Sequence, residues 1–390
     1  MTEIIIYRIM RIFEIVFVVF SINACTNATL VNRNGQTINI DVSKSIKSFE
    51  AEKLLDTVGH KVIVLDTTNN SFIGHVEKLF VAGDKMYVWD RERNAIFIYD
   101  SDGKYVSKIA SQGRANNEYI EIFDFYVSKD RLYILDNATM RLLEYDATGK
   151  YIKTLDLSMY WAESLFVLDD MIYLVNYSSD TNSGQYHIFK IDRDGNLKDK
   201  YLKFDKNYRH SPDLKACSKV NGVFSLCMCP NFIYRVDSAS CRLAYNIDFI
   251  DKNLPEKYYE QDLIAMLKEG VVSKYILGIN EMQESSNYLF IYFWDDWNYY
   301  TALYDKGNGD VTVCKDMSMS SMYRMGFVDY YIYDDCVYGI VGASAFKGHV
   351  AIIMRESEKL KDKYIEELEK VNREITDYSN PVIIKYKLKS

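Results

Sequence analysis

A fifteen-residue stretch that returns forty-six residues later constrains this chain more than any other feature. Val76 to Asp90, reading VEKLFVAGDKMYVWD, is matched by Ile122 to Asp136, reading IFDFYVSKDRLYILD. Each copy runs on into a second hairpin: Ile96 to Ile109 around Asp-Ser-Asp-Gly, and Leu142 to Leu155 around Asp-Ala-Thr-Gly. In both, the glycine supplies the positive φ that a tight turn needs. Each unit therefore reads as four short antiparallel strands in series. Weaker copies follow at Leu165 to Gly195, Val223 to Phe249, Tyr288 to Lys315 and Phe327 to Val341. The second strands, marked by Tyr87, Tyr133, Tyr173, Val223, Tyr288 and Val337, lie 46, 40, 50, 65 and 49 residues apart. Four-stranded units at about 40–50 residues are the pattern of propeller blades. The expected fold is all-β, a single six-bladed β-propeller of four-stranded antiparallel blades. A total of 33 Tyr and 14% aromatics agrees, because flat rings suit pleated, half-buried surfaces.

A ring of blades must close on itself. The sixth copy supplies two strands, then a long polar insertion, then Val382 to Leu388. Thr37 to Val42 alternates apolar and polar residues and is expected to be the missing outer strand of the last blade; Lys61 to Asp66 is a second candidate for that place. Two insertions read as helical. One, near 255–269, carries Tyr258, Leu263, Ile264 and Leu267 and stops at Gly270; the other, near 355–375, carries Leu360, Tyr364, Leu368, Val371 and Ile375. Val350 to Met354 fits either helix or strand.

The N-terminal segment reads as an address. Arg8 and Arg11 precede the apolar run Ile15 to Phe20, and Ala24 stands immediately before Cys25. Residues 1–24 resemble a lipoprotein signal peptide, with Cys25 the lipidated residue, 25–35 a tether and 36–390 the propeller. The expected location is the bacterial cell envelope, lipid-anchored at the outer membrane or the periplasmic face. Six further cysteines (Cys217, Cys227, Cys229, Cys241, Cys314 and Cys336) read mostly as buried thiols, with one cross-strand disulfide open among Cys227, Cys229 and Cys241. A net charge of -8 argues against a nucleic-acid partner.

The run Ile109 to Tyr119 with its Gly113-Arg114 loop, then Phe123-Asp-Phe125 and Tyr133 to Asp136, resembles NHL-type repeats. With Val62 to Thr68, Ile73-Gly74 and Asn380 to Ile383, the chain resembles the six-bladed β-propeller lipoproteins of Bacteroides-type bacteria. The loop after Arg114 reads Ala115-Asn116-Asn117, where that family has glycines. The resemblance implies the fold and little about activity.

Chemistry is sparse. Asp90 and Asp136, like Asp100 and Asp146, recur in register, so they read as turn and capping carboxylates and not as parts of one active site. None of the five histidines lies three to five residues from another, so no local metal pair exists; no catalytic residue, metal or cofactor is assigned. Unrepeated features are better candidates. Trp294, Asp296 and Trp297 interrupt the fifth blade; their rings either stack on a ligand or pack between blades, with one Trp expected buried and the other accessible. Arg209 and His210 stand in the connection after the third blade, and Arg114 in the one after the first. The reading is an envelope-anchored, non-catalytic binding or scaffold propeller, its ligand a glycan or a protein partner. The alternative is a propeller hydrolase or lyase with a site distributed around the central channel.

Overall fold

The computed structural model describes residues 35–177, 186–204, 217–228, 230–318, 329–356 and 363–389. They form six antiparallel sheets of four strands each around a central channel, two of them widened by an extra parallel strand. Blade 1 is Val76–Ala82, Lys85–Asp90, Ala95–Asp100 and Tyr105–Ile109; blade 2 is Asp124–Ser128, Arg131–Asp136, Arg141–Asp146 and Tyr151–Asp156. Blades 3, 4 and 5 begin at Ser164–Leu168, Cys217–Val220 and Glu281–Glu284, and blade 6 at Asp329–Tyr333.

Burial falls from the channel outward. Strands such as Ser164–Leu168 and Lys85–Asp90 are buried on both faces, because each sheet is sandwiched between two neighbours. They therefore read as unbroken apolar runs. The outer strands, such as Tyr105–Ile109, alternate buried and exposed. The recurring aspartates hold the turns. Asp100 Oδ1 accepts from the amides of Asp102 and Lys104, Asp146 Oδ1 from Thr148 and Lys150, and Asp192 Oδ1 from Asp194 and Asn196. Gly103, Gly149 and Gly195 complete these turns at φ 87°, 86° and 86°. Asp90 and Asp136 are wholly buried and take loop amides, Gly74 N at 2.6 Å and Ile120 N at 3.0 Å.

Closure differs from expectation in one respect. The outer strand of blade 6 is Leu55–Val64, antiparallel to Val382–Leu388 along nearly its whole length, from Leu55↔Leu388 to Val64↔Val382. The second candidate thus takes the closing place. The first, Thr37 to Val42, instead contributes to Gln36–Asn39, a fifth strand parallel to the outer strand of blade 4. There Ile38 and Ile40 are buried with Tyr245 and Ile247 in the core between blades 4 and 5. A turn capped by Asp41 leads to Ile46–Glu50, which lies parallel to the outer strand of blade 5. Asn380 pins the junction of the two termini. Its wholly buried amide donates to Asp66 O and Ser71 O, both at 2.7 Å, and accepts from Ile73 N at 2.8 Å.

The helical insertions are α1 (Leu263–Lys268), α2 (Ala343–Glu356) and α3 (Lys363–Glu374). Helix α2 takes in Val350 to Met354, and with α3 buries Phe346, Val350, Ile353, Leu368 and Val371 beside blade 6. Helix α1 inverts its expected face. Asp262 caps it and Gly270 follows at φ 67°, but only Met266 is buried, while Leu263, Ile264 and Leu267 face solvent. Cys227, Cys241 and Cys336 are free thiols, so no bridge joins Cys227 to Cys241, and Cys314 is buried; Cys217 is described in backbone only, and Cys229 lies outside the described residues.

Blades 4 and 5 meet at a buried carboxylate. Glu284 pairs with Lys306 at 2.6 Å and Arg235 at 2.8 Å and accepts from the Ser225 hydroxyl. Burial pushes the Glu284 carboxyl up, but Lys306, Ser225 and Arg235 outweigh it and hold the group below its usual 4.5; burial also lowers Lys306. A depressed carboxyl contributes stability above its ordinary pKa that is lost as pH falls below it. Glu284→Gln strands two cations in the interface and should lower the unfolding free energy by about 3–5 kcal/mol at pH 7. Urea titrations between pH 7 and pH 3 should show the parent losing part of its stability below pH 4.5, and the variant losing less. An equal acid loss in both would mean that Glu284 does not carry the dependence.

Candidate functional site

Chain direction assigns every loop to one of two ends. The first-to-second and third-to-fourth strand turns share one end; the second-to-third turns and blade-to-blade connections share the other. Trp294, Asp296 and Trp297 belong to the second kind. Tyr288–Asp295 pairs with Asn298–Asp305, with Asp295 opposite Asn298, so Asp296 and Trp297 are the two residues of the hairpin loop. Both have positive φ, 44° and 63°, as a two-residue turn matching the strand twist demands. Trp294 is 49% exposed, Trp297 68% and Tyr299 37%. The expectation of one buried and one accessible Trp fails, because Trp297 sits on the turn, where strand alternation does not apply.

The hairpin is braced from below. Lys252, in the connection after blade 4, holds both oxygens of Asp295 at 2.6 and 2.7 Å. Phe249 packs on Phe293 with ring centroids 4.8 Å apart. Asn298 donates to Asp296 O at 2.8 Å, and Trp294 leans on Tyr299 at 4.9 Å. Ile250, in the same connection, is exposed and held at φ 56°, an unusual conformation for a β-branched residue. Helix α1, with its outward Leu263, Ile264 and Leu267, belongs to this connection too. Two bulky residues in left-handed backbone, both solvent-facing, thus stand on either side of one ion pair.

The other sequence candidates scatter. Arg114 is exposed on the blade 1 to blade 2 connection, at the same end, and makes no ion pair with any described residue. The arginine that bonds this loop's carbonyls is Arg141, reaching Ala115 O at 3.1 Å and Glu118 O at 2.8 Å. Arg209, His210 and Cys25 lie outside the described residues.

Sequence reasoning missed the channel wall, where polar residues on the innermost strands staple neighbouring blades. Lys78 of blade 1 donates to Asp124 of blade 2 at 2.6 Å; Ser164 of blade 3 donates to the same carboxylate at 2.8 Å. Ser218 of blade 4 bonds the backbone of Glu284, Gln283 of blade 5 bonds Tyr330 O and Ile332 N, and Tyr331 and Tyr333 of blade 6 reach Glu77 O and Leu79 O. Between blades 3 and 4 the link is Phe166 stacked on Phe224, centroids 4.1 Å apart. Asp124 also accepts the amides of Phe125 and Leu165, which fills its four lone-pair positions. Its two oxygens are thus held by groups from three successive blades, and this Lys-Asp-Ser row staples blades 1, 2 and 3. The visible signal was a single acid in an aromatic run, Phe123-Asp124-Phe125. Among the described residues, no three His, Cys, Asp or Glu side chains converge as metal ligands, and no helix is long and apolar enough to cross a membrane.

Left-handed backbone disfavours a side chain by about 1–2 kcal/mol, which glycine avoids. Trp297→Gly should therefore raise the unfolding free energy by about 0.5–1 kcal/mol, since the exposed indole loses little burial. Chemical denaturation checks this. A clear loss of stability would mean that the ring is part of the packing.

A family model described as a domain of unknown function, DUF4934, matches residues 36–387. Among solved structures, an exported-type protein of Bacteroides fragilis superposes with a TM-score of 0.69 at 16% identity, covering 91% of this chain and 99% of that one. A DUF4221-family member from Bacteroides vulgatus gives 0.45 at 11% identity over 85% and 96%; BamB from Moraxella catarrhalis gives 0.33 at 12% over 80% and 69%. At such identities the first likeness speaks for the fold alone, and the other two carry no argument. No curated protein matches. The chain belongs to the DUF4934 family.

Proposed function

We propose that this protein is an envelope-anchored, non-catalytic scaffold propeller that docks a protein partner through the exposed aromatic end of blades 4 and 5. The observation that carries this reading is the pair Trp297 and Ile250, both solvent-facing and both held in left-handed backbone at φ 63° and 56°. Strain of this kind persists where function selects it. Exposed Trp and Tyr are the residues that dominate protein-binding surfaces, and the aliphatic Leu263, Ile264 and Leu267 extend the apolar area. Asp296 and Asn298 beside the rings favour a second reading, a glycan stacked on the indoles with hydroxyls bonded at its edge.

The tether fits the same picture. Gln36–Asn39 runs toward the aromatic end, since it is parallel to Cys241–Asp248, so the chain before it departs from the opposite end. With Cys25 lipidated, residues 25–35 reach at most roughly 35 Å. The aromatic end then faces away from the membrane. The likeness to an exported-type protein of Bacteroides fragilis supports export of this chain.

Two experiments test the proposal. Immobilised parent protein and the double variant Trp294→Ala, Trp297→Ala are compared for capture from detergent-solubilised envelopes and for binding on a glycan array. The scaffold reading expects a defined protein captured by the parent, lost by the double variant and kept by Arg114→Ala, with unfolding midpoints unchanged. Array binding lost in the double variant would replace the partner by a glycan, and identical behaviour of parent and variant would overturn both. Separately, Cys25→Ser should abolish lipid labelling and move the protein to the soluble envelope fraction, because acyl chains supply about 0.8 kcal/mol of membrane affinity per buried CH2. Unchanged membrane association would overturn the anchor.

A further inference from the structure

The central channel holds a cavity of about 550 Å3 that opens at the end opposite the aromatic hairpin. That volume is within the range of small-ligand sites, about 300–1,000 Å3. Its wall is a belt of rings from four blades. Tyr333 meets Phe80 at 5.3 Å, Phe80 meets Tyr126 edge-on at 4.9 Å, and Tyr126 meets Phe224 at 5.7 Å. The rings are fixed by neighbouring blades, so the wall is formed before any ligand arrives.

We propose that this cavity is a binding site for a short neutral saccharide, separate from the aromatic end and independent of the reading given to it. Polar capacity on the wall decides the ligand class. Ser164 spends its proton on Asp124, and Ser218 spends its own on Glu284 O. Gln283 gives one amide proton to Tyr330 O and one lone pair to Ile332 N. What these three retain is chiefly acceptor lone pairs, and they are buried and aimed by their inter-blade bonds. At the mouth stand Asp169, Asp237 and Asp334, against Lys129, which is paired with Asp170, and Lys219, which lies 5.7 Å over the Phe224 ring. An acceptor-rich wall with carboxylates at its mouth repels anions and selects a ligand rich in donors. Flat aromatic walls select one with apolar faces. A pyranose has both: hydroxyl donors around its rim and C–H faces to lay on rings. A bare organic cation satisfies the mouth but meets the Lys78 ammonium on the wall.

The test is isothermal titration calorimetry of the full propeller with cellobiose, maltose, chitobiose and mannobiose, and with putrescine and choline as cation probes. Two plugs are made from different blades, Ala82→Trp and Ser128→Trp, both on half-buried residues lining the cavity. Thermal unfolding selects whichever plug remains folded. At least one disaccharide should bind the parent, the folded plug should weaken it by about tenfold or more, and Trp294→Ala with Trp297→Ala should leave it unchanged. No saccharide binding at millimolar concentration, binding by the cations in their place, or affinity insensitive to a folded plug would each overturn the proposal. Loss in the tryptophan variant alone would place the sugar at the aromatic end and overturn it equally.

Discussion

The pairing of Leu55–Val64 with Val382–Leu388 is the interaction on which the rest of the structure depends. Every sheet in this molecule has two apolar faces, and each face is buried only because another blade stands against it. In an open row of six, the first and last faces would be exposed to water, with hydrogen-bonding edges beside them. Sharing one blade between the two ends of the domain turns the row into a ring. The wholly buried Asn380, from the C-terminal side of the seam, bonds the backbone of Asp66, Ser71 and Ile73 on the other side and ties the two together. With the ring shut, the innermost strands become the wall of a channel, and their few polar side chains can reach only the next blade.

The repeat was legible because burial on both faces forces unbroken apolar runs, and because each outer hairpin needs the same Asp and Gly. The first demand recurs in the inner strands, and the Asp and Gly recur in the outer hairpins of blades 1, 2, 3 and 5, so the repeat shows in the sequence. What was misread involved choices among equivalent surfaces. Thr37 to Val42 alternates as any outer strand does, and the exposed edge of blade 4 accepts it as well as that of blade 6; only the longer Leu55–Val64 can cover all of Val382–Leu388. Helix α1 is six residues long, too short for its periodicity to say which side meets the protein. Trp297 was assigned to a face by a rule that ends where the strand ends. The channel wall shows in the sequence as Asp124, a lone acid between two phenylalanines, while Gln283 is hidden in the polar run 280–287; the inter-blade partners of both are forty or more residues away.

The two ends of the propeller differ in chemical character. At one, two-residue turns rich in aspartate surround a cavity with aromatic walls. At the other, a two-residue hairpin carries Trp297 into solvent and a long connection carries Ile250 and helix α1 there, the two joined by the Lys252–Asp295 pair. The body between them lets each end be shaped without disturbing the other, so one repeat scaffold can present two different surfaces.

The shared blade also sets an order of events. On a ribosome, the strand at residues 55–64 emerges about 320 residues before the one it must pair with. Joining segments that far apart carries a loop-closure entropy of about 5 kcal/mol, which no local contact repays in advance. Gln36–Asn39 likewise waits for a partner near residue 245. The five blades between are made of neighbouring hairpins and can fold as they appear. Leu55–Val64, among the first strands to be synthesised, is therefore the last to find its place, and until the final strand arrives it remains a free β-edge in need of shelter.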